Sequence, residues 1–177
     1  MDARVTGQAG VTLIETLIAM LVLLVGAVGL ASAFLYGIDR TTSAPSELIA
    51  TQKAAEAVES VFAARDSQAV DWDELKNASD DGIFLDGPQD MHLAGPDAIL
   101  NTADDLQQAI ESYTLPGPDQ DLETTGDNEV VELTGFTREI AISEISAVLR
   151  EITVVITYQA GSTTRTYTLT ALISAFA

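Results

Sequence analysis

One uncharged stretch limits what this chain can fold into. Residues 16–38 form a run of 23 with no Asp, Glu, Lys or Arg, rich in Leu, Val and Ala. As a helix it would measure about 35 Å, enough to cross a hydrocarbon core of about 30 Å. A secretory signal would place its small-residue cleavage site after the apolar run. Here the small residues Ala9 and Gly10 come before it, at the end of the leader MDARVTGQAG. Cleavage at that point would discard the polar leader and keep the hydrophobic helix.

The rest of the composition divides along the chain. The protein has 177 residues and a formal charge of −19, yet 47% of its residues are hydrophobic and its mean hydropathy is +0.21. From Asp66 to Glu132 there are 18 acidic residues against one basic residue, Lys76, so this stretch carries −17 of the −19. A pI near 4.1 argues against nucleic acid, whose phosphates are held by Lys and Arg. With no cysteine, disulfides, thiolate zinc sites and Cys nucleophiles are excluded. His92 is the single histidine, too little for a transition-metal site or a His-based triad. Glycosidase chemistry needs a pair of carboxylates about 5–10 Å apart, and nothing in the sequence picks two out of the acidic stretch. The chain is therefore read as a non-enzyme.

Glu15 stands at the edge of the apolar run, in VTLIETLIAM. A carboxylate at membrane depth costs roughly 2.5–3.5 kcal/mol on insertion scales, so such residues mark function by default. At the interface it would instead suit the positive end of the helix dipole.

The string Gly10-Val11-Thr12-Leu13-Ile14-Glu15, followed by an apolar helix, resembles the processing and methylation motif of type IV pilins and type II secretion pseudopilins. The resemblance implies that a membrane prepilin peptidase cuts after Gly10 and N-methylates Val11. It also implies that Glu15 pairs with a neighbouring subunit's amino terminus during assembly. The physics agrees, because a lone carboxylate and a lone amine on an apolar surface are each costly and pairing offsets part of both costs. The implied partners are prepilin peptidase, other pilin or pseudopilin subunits, and the lipid bilayer before assembly. The implied location is the bacterial cytoplasmic membrane as a single-pass prepilin, then a pilus or pseudopilus with the head outside the cytoplasm. Val11 stands where Phe is common, and the proline frequent midway through such helices is absent.

After the apolar run, Pro45 predicts a kink or a helix restart, with Ser43 as a cap and Glu47 in the first turn. Over 48–65 the pattern is helical. Leu48, Ala55, Val58 and Phe62 make a narrow apolar stripe, with Lys53, Glu56 and Glu59 on the other side. Between residues 67 and 128 periodicity disappears and Gly-Pro turn signals recur. Short ordered pieces are expected at 72–76 and at 103–113, where Leu106, Ile110 and Tyr113 fall at helical spacing. His92 is placed on the loop surface.

Residues 95–105, GPDAILNTADD, resemble a Gly-Pro-Asp-Gly…Gly-Thr-x-Asp-Asp loop of bacterial pilin-like and surface proteins, with Ala98 and Asn101 in place of the usual glycines. Carboxylates and amide oxygens are the hard ligands calcium prefers. The calcium candidates are Asp86, Asp90, Asp97, Asn101, Asp104 and Asp105; the alternative is a solvated acidic loop. Asp119, Asp121 and Glu123 alternate like the start of an EF-hand, but Thr124 and Val130 occupy the places of its glycine and bidentate glutamate, and that reading fails.

From residue 129 the pattern changes to strands. A short strand is expected at 129–133. Phe136, Arg138, Ile140 and Ile142 share one face, as do Ile152, Val154, Ile156 and Tyr158, and then Tyr167, Leu169, Ala171 and Ile173. Period two in β-branched residues predicts a half-buried antiparallel sheet, with 159–162 as a turn and the 48–62 helix as its cover. The fold class is thus α+β and pilin-like. A leader occupies 1–10, and a long helix 11–66, transmembrane over 11–38. An acidic loop region follows at 67–128, then an antiparallel sheet of about four strands at 129–177.

The helix and the tail, GFTREIAIS…LREITVVITYQAGSTTRTYTLTALIS, resemble minor pilins of the PilV type. They imply a minor type IV pilus subunit. The alternatives are a minor pseudopilin of a type II secretion system and a membrane-anchored, calcium-dependent adhesion module.

Overall fold

The last third of the chain does what period two dictates. In the computed structural model, described over residues 12–123, 126–161 and 163–176 with the side chains of 39–44 aside, it forms three long antiparallel strands. Strands β1 (Gln89–Asp90), β4 (Phe136–Ser146), β5 (Leu149–Ala160) and β6 (Thr163–Ser174) make one sheet in the order β1-β4-β5-β6. The inward residues meet in rungs: Arg138–Ile156–Tyr167, Ile140–Val154–Leu169 and Ile142–Ile152–Ala171. Between β5 and β6, Gly161 adopts a φ of 62°, the left-handed conformation that a tight hairpin turn needs.

The sheet has four members as expected, but the fourth is not 129–133. Strand β3 (Glu129–Glu132) instead pairs with β2 (Ser112–Leu115) in a separate two-stranded sheet. The short β1 takes the place beside β4, with Gln89 opposite Arg138 and Asp90 opposite Thr137. Further along β4, the Asn77 side chain does a strand's work. Its Nδ2 donates to the Ile140 carbonyl at 2.7 Å, and its Oδ1 accepts from the Ile142 amide at 2.7 Å.

Ahead of the sheet runs one helix, α1 (Leu13–Asp66), 54 residues long with Pro45 inside it. The restart expected at Pro45 does not occur. Proline removes one backbone donor, and a long helix absorbs the loss of a single hydrogen bond. Ser43 lies among the side chains left aside, and no helix start exists there for it to cap. By internal contacts the chain divides into two units, Met1–Thr42 and Ser43–Ala177.

Within the second unit, the face of α1 that enters the core differs from the predicted stripe. Ala50, Ala54, Ala57, Val58, Val61 and Ala64 are buried, while Leu48 is exposed and so is Ala55. Val58 is common to both stripes, and Phe62 is half-buried at the margin. This mostly alanine face joins the same core as the inward residues of the strands, while the larger Leu48 is left outside. Lys53, assigned to the polar side, is also drawn inward, as described below.

The loop region is anchored rather than free. A 3-10 turn at Trp72–Glu74 falls within the ordered piece expected at 72–76. Arg150, buried on β5, donates to the carbonyls of Trp72 and Leu75 and stacks on the Trp72 ring at 4.3 Å. The piece expected at 103–113 is ordered, but its helical spacing is not used: a 3-10 turn at Asp105–Gln107 is followed by β2. Ile110 bridges to His92 instead. His92 is half-buried, not a plain surface residue, and its Nδ1 lies 2.8 Å from the Gln108 carbonyl.

Candidate functional site

Three places in the chain concentrate chemistry. The first is the start of α1. Gly10 and Val11 lie outside the described residues. Thr12 leads into the helix, and the Glu15 amide meets its carbonyl at 3.0 Å and its hydroxyl at 3.4 Å. This is the pattern by which a hydroxyl satisfies an orphan donor of a first turn. Glu15 is the acidic residue of that turn and is exposed. The most apolar 18-residue window within Leu13–Ile38 has a mean hydropathy of 2.6, and none of it is buried by the rest of the chain. Burying a Val, Leu or Ile side chain is worth roughly 1.5–3 kcal/mol. A face of this kind gains its stability from lipid or from neighbouring helices.

The second place is the 95–105 loop. Of the six calcium candidates, the structure gathers three. Carboxylate oxygens of Asp97, Asp104 and Asp105 lie within 4.8 Å of one another. Asp105 is buried and ties the loop together: its two oxygens accept from the amides of Gly95 at 2.7 Å, Asn101 at 2.6 Å and Thr102 at 3.2 Å. Burial raises its pKa, against the opposing pull of those amides. Asp104 is held anionic below the usual carboxylate range, chiefly by the Thr102 hydroxyl at 2.6 Å. Asp104 also packs over Gly95, where any Cβ would strike its carboxylate. Asp97 accepts from the Ile99 amide at 2.8 Å.

Asn101 is buried, with its Nδ2 on the Leu85 carbonyl at 3.2 Å. The other two candidates serve elsewhere. Asp86 accepts from the Ser79 amide and hydroxyl at 2.9 and 2.8 Å, and Asp90 lies in β1. Ala98 and Asn101, the residues standing where glycines were expected, have φ values of 58° and 70°. The loop keeps the left-handed geometry that glycine would supply for less strain. Asp97 and Asp104, with Asp105 behind them, are the side chains that could hold a hard divalent cation.

The third place was not legible as a site. Glu111, 3% exposed, is clasped by Arg138 at 2.9 Å and by Lys53 at 2.6 Å. Arg138, on β4, is 1% exposed and also donates to the His92 carbonyl at 3.3 Å. Burial works against the charge on Lys53, but hydrogen bonds and charge from Glu111 and Glu56 outweigh it and raise its pKa. The sequence carried one signal, a lone arginine in phase with Phe136, Ile140 and Ile142. Nothing local announced Glu111.

No match was found among curated proteins or solved structures. Residues 6–31 match the family model described as the prokaryotic N-terminal methylation motif. The chain also has the long apolar helix and a four-stranded antiparallel sheet, and it carries the segment that marks type IV pilin and prepilin-like proteins.

Proposed function

We propose that the chain is a PilV-like minor subunit of a type IV pilus. The observation that carries this is the joining of a methylation motif over residues 6–31 to an apolar helix that the chain itself leaves uncovered. In this reading prepilin peptidase cuts after Gly10 and methylates Val11. The helix rests in the cytoplasmic membrane, then exchanges lipid for other pilin subunits. Glu15 meets the new amino terminus of a neighbour, and the pair fixes the axial register because any other register leaves two unpaired charges on apolar surface. The acidic head stays outside the cytoplasm. Its role is assembly and display, and no reaction is assigned to it.

Two variants test the reading. Gly10→Leu is expected to leave the leader in place, read by mass spectrometry of the amino terminus. Glu15→Ala is expected to be processed yet missing from sheared filaments. Normal processing and incorporation of both would overturn the proposal. Deleting the chain separates the filaments: loss of surface pili supports this reading, whereas intact pili with blocked protein secretion would make it a type II minor pseudopilin.

The same reading takes calcium as the ion of the 95–105 loop, at Asp97 and Asp104. Their oxygen spacing, within 4.8 Å, suits an ion that binds oxygens at about 2.3–2.6 Å. The detergent-solubilised chain is expected to melt a few degrees higher in millimolar calcium than in chelator. Equal Tm values would remove the ion from the account.

A further inference from the structure

The β2–β3 hairpin carries a feature outside the three places described above. Strands β2 and β3 pair with Thr114 opposite Val130, and a groove of about 410 Å³ opens between Thr114, Leu122, Asn128 and Val130. The groove is built, not incidental. Asn128 Oδ1 accepts from the Gly117 amide at 3.0 Å, and its Nδ2 donates to the Leu122 carbonyl at 3.0 Å. Asp119 and Asp121 each accept from the backbone amide two residues on, at 3.0 and 2.9 Å. These bonds hold the loop over the strands, yet Leu122 and Val130 remain 56% and 65% exposed. Two exposed aliphatic side chains lining one groove offer a seat for an apolar side chain of a partner.

Charge decides what the groove can take. Between Ser112 and Glu132 the sequence has six carboxylates, Asp119, Asp121, Glu123, Asp127, Glu129 and Glu132, and no Lys or Arg. All six are exposed. A second copy of this hairpin would bring like charges together, and an anionic lipid surface would be repelled in the same way. We propose that this hairpin docks a basic polypeptide segment of another protein, with an apolar side chain seated between Leu122 and Val130 and Lys or Arg residues against the acidic rim. The apolar anchor supplies the specificity, and the rim supplies the rate of encounter.

The test uses the full chain in nanodiscs of zwitterionic lipid, with empty nanodiscs subtracted. The probes are two labelled arginine-rich peptides that differ only at the centre, Leu-Trp in one and Ser-Ser in the other. Fluorescence anisotropy at about 0.15 M salt is expected to show the Leu-Trp peptide binding about tenfold tighter. Leu122→Ser with Val130→Ser should abolish that ratio without moving Tm. Asp80→Asn with Asp81→Asn, acidic residues outside the hairpin, should leave the ratio intact. Glu129→Gln with Glu132→Gln should weaken both peptides and flatten their salt dependence. Equal affinities for the two peptides, or a preference that survives in the Leu122/Val130 variant, would overturn the proposal.

Discussion

Glu111 is where three separate parts of the head meet. Lys53 reaches it from α1 and Arg138 from β4, while Glu111 itself precedes β2. Removing it leaves the Arg138 guanidinium, 1% exposed, without its counter-charge, and breaking such a buried pair costs about 3–5 kcal/mol. Glu111→Ala is therefore expected to lower stability by about that amount in urea denaturation. Lys53 adds a pH dependence. Its pKa is raised above the ordinary 10.5, so its stabilisation is whole below that value and is lost as pH climbs through the higher folded value. Denaturation midpoints of the wild type should fall above about pH 10.5, and Lys53→Met should show a shallower fall, the remainder coming from Tyr158, whose pKa burial also raises. The sequence showed Arg138 as a charge in an apolar phase. It could not show Glu111, because a partner 27 positions away leaves no local periodicity.

At the scale of elements, the strands were legible and the face of the helix was not. Strands β4, β5 and β6 bury the side that period two assigned to them, because alternation maps directly onto a pleated sheet. The helix offered several overlapping stripes of similar apolarity. Its core side follows Ala50, Ala54, Ala57 and Val61, the face that joins the core shared with the strands. A larger residue there overpacks the contact, so Ala57→Leu should cost about 1–3 kcal/mol. Ala55→Leu, on the exposed side, should leave the denaturation midpoint nearly unchanged. If the two variants behave alike, the assigned face is wrong. The two-residue β1 was invisible in the sequence, since its place in the sheet is set by the loop that delivers it.

For the whole molecule, the division of apolar surface matters most. Among the described residues every buried hydrophobic side chain, from Ala50 to Ile173, lies in the unit Ser43–Ala177. The apolar window of Leu13–Ile38 contributes none. A fragment beginning at Ser43 is therefore expected to be soluble without detergent and to melt in one cooperative transition by circular dichroism. The full chain should require detergent or lipid. A fragment that aggregates, or that melts without cooperativity, would mean the head depends on the first unit for its core. The charge follows the same division, since Met1–Thr42 holds three of the 27 acidic residues, Asp2, Glu15 and Asp39, and the other 24 belong to Ser43–Ala177.

The sequence alone determined the uncharged run, the small residues placed before it, Glu15 at its edge and the alternating strands. Each is a property of neighbouring positions, where charge and periodicity act directly. Only the tertiary structure decided that alanines form the inner face of α1, and that three of the six acidic-loop candidates converge while Asp86 and Asp90 serve elsewhere. It also decided that Glu111 bridges Lys53 and Arg138, and that Leu122 and Val130 line one groove. The alanine face is a matter of packing in the core, and for the other three the physical reason is common. They depend on the path of a loop region without periodicity, and that path is fixed by side chains such as Asn77, Asp105 and Asn128 bonding to backbone groups that are distant or irregularly placed.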